Sequence, residues 1–259
     1  MTLLGDPGAG RVSSRICPVS DTSPTRGLRL LWLGDTVPRR GPRPALRLER
    51  VVRAAIEIAD AEGLPALSMR KVADRLAVGT MSLYTYVPAK TDLVALMLDA
   101  VDAEGVLPHT VGGSWRTKVE TWAREDWALY HRHEWVLDAS ARRPLGPHSL
   151  CRYDSALRSL TGIGLPAAAV VAATEAIDGY IRGMARRSVE TRRRERNSGV
   201  GEAEWWAEHQ ALLRTYAGAE EFPTIHALDA EGAFDGAGDT FEFGLRRLLD
   251  GIAGQLGAS

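Results

Sequence analysis

Ser68-Met69-Arg70-Lys71-Val72-Ala73-Asp74-Arg75-Leu76-Ala77-Val78-Gly79-Thr80-Met81-Ser82-Leu83-Tyr84-Thr85-Tyr86-Val87-Pro88-Ala89-Lys90 reads as a helix, a tight turn and a second, very short helix. Ser68 stands where an N-cap belongs, and Val72, Ala73, Leu76 and Ala77 form the apolar stripe behind it. Gly79 breaks the pattern, Thr80 caps the next helix to about Tyr86, and Pro88 closes it before Lys90 and Thr91 open another. Ala73 is small enough for two helices to approach closely, while Val78 and Leu83 are apolar points that pin the short helix down. Thr80, Met81, Ser82, Tyr84, Thr85 and Tyr86 are then expected to face outward. A face of hydroxyls does little for a monomer's stability but suits a DNA major groove, about 12 Å wide, where hydroxyls meet base edges or phosphates. Arg70 is positioned to meet a guanine edge and Lys90 a phosphate, with Ser68 and Tyr84 adding backbone contacts. The residues alone equally allow a plain three-helix unit with a solvated polar face.

Working outward, Leu48, Val51, Val52, Ala55, Ile56 and Ala59 recur at helical steps before Gly63, and Leu93, Val94, Leu96, Met97 and Val101 do so after Lys90. Residues 46–103 thus form one helical unit. Residues 1–45 are rich in Gly, Pro, Ser and Arg without sustained periodicity and read as a disordered basic arm. Nine arginines against four acids in residues 1–50 make it the basic end of the chain. It is either a passive tail or, through Arg39, Arg40 and Arg43, a strand laid along DNA.

Beyond residue 104 there is no strand-like alternation, only helical segments at about 114–135, 147–161, 166–196, 203–217 and 239–256, with a loop across 218–238. The fold class is therefore all-α, with an N-terminal three-helix helix-turn-helix unit joined to a larger helical domain, 104–259. Trp122, Asp126, Trp127, Tyr130 and His133 combine aromatic walls with polar tips, as ligand pockets do, and Tyr153, Glu175, Asp178, Tyr180 and Met184 on later helices are candidates to face them. Each of these is individually as compatible with ordinary core or surface. His131 and His133 are two apart and point to different faces, which argues against a shared metal. The arginines from Arg182 to Arg196 read as a solvated helix end.

Ser-x-Arg-x-Val-Ala-x-x-Leu at 68–76 and Leu-Tyr-x-Tyr-Val-Pro-x-Lys at 83–90 closely resemble the DNA-binding domain of the tetracycline-repressor family. The resemblance implies base or phosphate contacts at Arg70, Thr80, Met81, Ser82, Thr85 and Tyr86, with Tyr84 and Lys90 on the backbone. Tyr86 stands where a histidine is common, so no operator sequence follows. Arg143-Pro144-Leu145-Gly146-Pro147, Asp178-Gly179-Tyr180-Ile181-Arg182-Gly183 and Phe241-Glu242-Phe243-Gly244-Leu245 resemble the family's sensor domain. It implies dimerisation through the last two long helices, here 203–217 and 239–256, whose Trp205, Trp206, Leu212, Leu213, Phe241, Leu245, Leu248, Leu249 and Ile252 would supply the interface, with internal core as the other reading. His133 matches a histidine that helps bind a magnesium-bound drug. The carboxylate expected to partner it is replaced by Arg187 or its neighbours, which speaks against that ligand.

The formal net charge of −1 gives no global pull toward nucleic acid. Cys17 and Cys151 match neither a disulfide framework nor a zinc spacing, so a reducing cytoplasm is expected, and no signal peptide, membrane anchor or cofactor motif is evident. The function expected is that of a homodimeric repressor that binds palindromic operator DNA and is released by an unidentified small-molecule effector. A regulator without an effector is the first rival. An all-helical enzyme is the second, but there is no nucleophile elbow, phosphate loop or metal-ligand spacing to support it.

Overall fold

The structure, a computed structural model, describes residues 25–33, 46–139, 145–234 and 239–256. In chain order its α-helices are α1 (Thr25–Leu33), α2 (Leu48–Glu62), α3 (Met69–Arg75), α4 (Thr80–Tyr86), α5 (Lys90–Asp102), α6 (Trp115–Arg132), α7 (Pro147–Leu160), α8 (Ala167–Ser198), α9 (Glu202–Tyr216), α10 (Pro223–Ala230) and α11 (Thr240–Leu256). Single 3-10 turns occur at Leu64–Ala66, Pro108–Thr110 and Glu134–Asp138, and no strand occurs among the described residues. No helix among them is long and apolar enough to cross a membrane.

The N-terminal unit follows from its periodicity. Val51, Ala55 and Ile58 of α2, Val72 and Ala73 of α3, Leu83 of α4 and Leu93 and Met97 of α5 converge on one core, where burial of each large side chain contributes roughly 1.5–3 kcal/mol. Ser68 caps α3 as its residue type demands, its Oγ accepting the Lys71 N–H at 3.2 Å. Gly79 does not make the turn between α3 and α4. Its φ is −68° and it serves as the N-cap of α4, whereas Ala77 adopts φ 54° and the Val78 N–H returns to the Ala73 carbonyl at 3.0 Å. A left-handed conformation costs an alanine about 1–2 kcal/mol, a penalty glycine escapes at the expense of a more flexible unfolded chain. Ala77→Gly is therefore expected to stabilise the protein by about 0.5–1 kcal/mol in urea unfolding; a lower midpoint in the variant would contradict this.

The larger domain is built on α6 packed along α8, with α7 bridging both to α5 and α11 lying across α6 and α8. Leu160, Ile177, Ile181, Leu245 and Leu249 are completely buried in its core. Two ion pairs fasten α11 to α6: Arg124 Nε to Glu242 at 2.7 Å, and Arg116 Nη2 to Asp250 at 2.7 Å. Hydrogen bonds from Arg124 hold the Glu242 carboxyl below the usual carboxylate range.

Three expectations are corrected here. Part of the N-terminal arm is ordered: α1 lies on α5, with Leu31 buried and the Trp32 Nε1–H donating to the Leu145 carbonyl at 3.2 Å. Arg39, Arg40 and Arg43 lie outside the described residues. The expected loop across 218–238 contains α10, opened by Pro223, a residue suited to a first helical turn. Finally, Phe241, Leu245, Leu249 and Ile252 of α11 are buried inside the subunit against α6 and α8, so they are core residues and not interface. Leu248 is half-buried beside them.

Candidate nucleic-acid interface and effector cavity

Most of the residues expected to meet DNA lie at the surface of the N-terminal unit. Ser68, Arg70, Met81, Ser82, Tyr84, Thr85 and Lys90 are exposed and Thr80 is half-exposed. Met81 is 80% exposed, an unusual position for a large apolar side chain unless something covers it. Arg70 makes only a long contact with Asp74, 3.9 Å, between two side chains in solvent, so its guanidinium is available to a ligand. Lys90 is the first residue of α5, where the helix N-terminus adds its own partial positive charge. Thr85 is partly engaged, its Oγ1 donating to the Ser82 carbonyl. Tyr86 departs from expectation: it is buried with Leu83 and Val87 in the core and does not stand at this surface.

The second feature is a cavity of about 670 Å³ between α6, α7 and α8, a size typical of small-molecule sites. Of the residues singled out for a pocket, Trp122, Asp126, Tyr130, Tyr153, Glu175 and Asp178 line it. Four do not. Trp127 lies between Phe241 and His131 with its ring tilted to both, and Tyr180 stacks on Phe241 while its hydroxyl donates to the Phe241 carbonyl at 2.8 Å. Met184 packs against the core, and His133 lies at the boundary with the N-terminal unit.

The cavity also contains cations: Arg182 and Arg186, which the sequence placed in a solvated helix end, and Arg152, which nothing in the sequence singled out. Arg182 reaches Asp178 at 3.1 Å and lies over the Tyr130 ring, 5.3 Å from its centroid, a cation–π geometry. Arg186 donates to the Leu137 carbonyl. Arg152 pairs with Asp126, whose other oxygen accepts the Trp122 Nε1–H at 2.8 Å. Burial raises the Asp126 carboxyl above the usual range, although Arg152 and Trp122 pull it the other way. Arg152 Nη1 is buried without an acceptor, and a β-carbon at Gly105 would collide with it. The i, i+4 relation of Asp178 to Arg182 was the available signal for that pair; nothing local marks Arg152.

Cavity and N-terminal unit meet at the end of α5. Asp102 accepts from Ser149 Oγ and lies 4.0 Å from Arg152 Nε, both of which line the cavity. One turn earlier, Asp99 accepts the backbone N–H groups of His148 and Ser149, each at 3.0 Å, and so caps α7. Displacement of α7 by a cavity-filling molecule would therefore pull directly on α5.

The outer surface of the large domain carries the remaining expected residues. Trp206, Leu212 and Leu213 are exposed on α9, and Trp205 is half-exposed, stacked on His209. Tyr216, Phe222, Ile225, Leu228 and Phe234 extend this apolar surface, and neither α9 nor α10 packs extensively on another described helix. On two other helices, Gly179 and Gly183 of α8 and Gly251 and Gly254 of α11 face open space.

Comparison with known proteins matches the chain to one family. The family model of the tetracyclin repressor-like C-terminal domain matches residues 107–256. The chain is 44% identical over 229 residues to the HTH-type transcriptional repressor DrrR1 of Streptomyces coeruleorubidus, covering 88% of this chain and 84% of that protein. It is 38% identical over 142 residues to an HTH-type transcriptional regulator of Saccharopolyspora erythraea, covering 54% of this chain and 60% of that one. Among solved structures, apo ActR from Streptomyces coelicolor superposes with a TM-score of 0.70 at 25% identity, covering 84% of this chain and 99% of the other. ActR in complex with actinorhodin gives a TM-score of 0.69 at 26% identity, covering 82% and 97%.

Proposed function

The chain belongs to the tetracycline-repressor-like family of transcriptional regulators, and we propose that it represses by holding a palindromic operator as a homodimer and lets go when a small molecule fills the cavity between α6, α7 and α8. The observation that carries this is the outward face of α3, α4 and the start of α5, where hydroxyls, one unpacked methionine and two cations stand free of the core. In a two-fold dimer two such faces meet successive major grooves about 34–36 Å apart. The relatives support the effector: ActR has been solved with actinorhodin and with (S)-DNPA. Aromatic walls with arginines and carboxylates at their edges suit a ring compound bearing polar oxygens. An effector that moves α7 acts on α5 through Asp99 and Asp102, and a coupling of about 1–3 kcal/mol changes operator affinity about 5–150-fold. A cytoplasmic location follows from the need to reach DNA.

Selection of bound sequences from random duplex DNA tests the proposal. A palindrome with half-sites one helical turn apart is the expected outcome; no sequence preference at all, or turnover of a bound small molecule, would reject it.

The open faces at Gly179, Gly183, Gly251 and Gly254, together with the apolar surface of α9 and α10, suit a second copy of this chain packed closely on α8 and α11. Gly183→Arg is expected to yield monomers in sedimentation. Overpacking costs about 1–3 kcal/mol per inserted side chain, and a two-fold interface repeats each substitution. A dimer of undiminished strength would place the interface elsewhere.

A further inference from the structure

His133 was expected in the cavity and lies instead where the N-terminal unit meets the large domain. It is the C-cap of α6, 4% exposed, with its backbone N–H donating to the Leu129 carbonyl at 2.8 Å. Its Nδ1 is 2.7 Å from Asp60 Oδ1 on α2, and its Nε2 is 3.2 Å from Glu104 Oε2 just past the end of α5. Each of those oxygens is already used as an acceptor. Asp60 Oδ1 receives the Trp135 Nε1–H at 2.7 Å, and Glu104 Oε2 receives Arg132 Nη1 at 3.1 Å.

This geometry specifies a protonation state. Ionised carboxylates only accept, and a neutral imidazole carries one N–H, so in the neutral ring one of the two contacts would set lone pair against lone pair. Only the imidazolium donates to both. Charge points the same way: Asp60 and Glu104 contribute two negative charges at the ring and Arg132 one positive, so a positive ring neutralises the group. Nearby carboxylates do not alter the count, since Glu134 and Asp138 are held by Arg193 and Arg196 of α8, and Glu57 and Glu62 of α2 pair with Arg75 and Lys71.

We propose that His133 is a positioning residue for operator binding: its imidazolium ties α2 to the turn after α5 and so sets the orientation in which the N-terminal unit is presented on the large domain. Arg152 and Ser149 grip that same turn from the cavity side at Asp102. The histidine is therefore the fixed point against which an effector in the cavity works. The inference rests on operator contact through α3 and α4, and it makes repression sensitive to pH through one side chain remote from DNA.

The test uses the full chain and a duplex obtained by selection from random DNA. Across about pH 5 to about pH 8, the span in which an imidazole can change charge, wild-type affinity is expected to be lower at the alkaline end. His133→Gln, which carries no charge, is expected to bind about tenfold more weakly at the acid end, with a flatter profile. Nitrogen NMR of the wild-type ring is expected to find both nitrogens protonated at the acid end. A variant profile superposing on the wild type, or a ring nitrogen bare throughout, overturns the inference while leaving the operator reading intact. Absence of wild-type DNA binding at every pH removes that reading and this one together. Should His133→Gln fail to fold, Glu104→Gln at a solvent-exposed carboxylate is expected to give a weaker loss of the same pH-dependent kind, and a profile identical to the wild type would be equally fatal.

Discussion

Lys90→Ala is expected to weaken operator binding for every DNA sequence alike, and Tyr84→Ala in the same chain to abolish it at physiological salt, with the dimer and helix content unchanged. Neither residue supports the fold: Lys90 is exposed at the opening of α5 and Tyr84 is 41% exposed on α4. A lysine meeting a phosphate releases a condensed counterion, so each such contact contributes about 0.9 to the slope of log affinity against log salt. A dimer loses two of these contacts, and the slope is expected to fall by about 2. Arg70→Ala is expected to behave differently. A bidentate contact with a base discriminates by about 1–3 kcal/mol, so its loss relaxes the preference at one position of each half-site and leaves the salt slope nearly unaltered. Titration of the three variants against the selected duplex at several salt concentrations separates the roles. Undiminished binding by the Tyr84 and Lys90 double variant would remove this face from the interface.

The second large effect is expected in the cavity. Arg152→Leu leaves the buried Asp126 without its cation, a change that costs about 3–5 kcal/mol in comparable buried pairs, and the effector response should disappear with it. Addition of Asp126→Leu should recover most of the stability and none of the response, because an apolar pair of similar volume needs no charge partner. The pH dependence gives an independent check. Burial holds the Asp126 carboxyl above its unfolded value, so the folded state binds more protons and this group's contribution to stability is lost as pH rises through the folded pKa. Loss of Arg152 raises the carboxyl further. The difference in unfolding free energy between wild type and Arg152→Leu is therefore smallest in acid and grows toward neutrality; a constant difference would mean that Asp126 is not the responsible group.

The N-terminal unit was legible because its signals are local. A stripe at helical steps, an N-cap serine and a proline stop lie within a few residues of what they act on. Tyr86 was readable too, since it follows Leu83 by three residues and shares its inward face; counting it among the outward residues let residue type override spacing. His133 and Arg152 were not readable. The carboxylates that define His133 lie 73 and 29 residues away, and Asp126 is 26 residues from Arg152. On α11 hydropathy misled directly: the stripe of Phe241, Leu245, Leu249 and Ile252 marks the face turned into the subunit, while the open face carries Gly251 and Gly254, which add nothing to an apolar pattern.

The projecting pair α9 and α10 has a consequence for any measurement of how robust this protein is. Trp206, Leu212, Leu213, Tyr216 and Phe222 are solvated on a lone chain, a state that water opposes and that the dimer proposed above would relieve. In such a dimer mass action links melting to dilution: the midpoint of thermal unfolding is expected to rise with protein concentration, and a single Tm then has meaning only beside the concentration at which it was recorded.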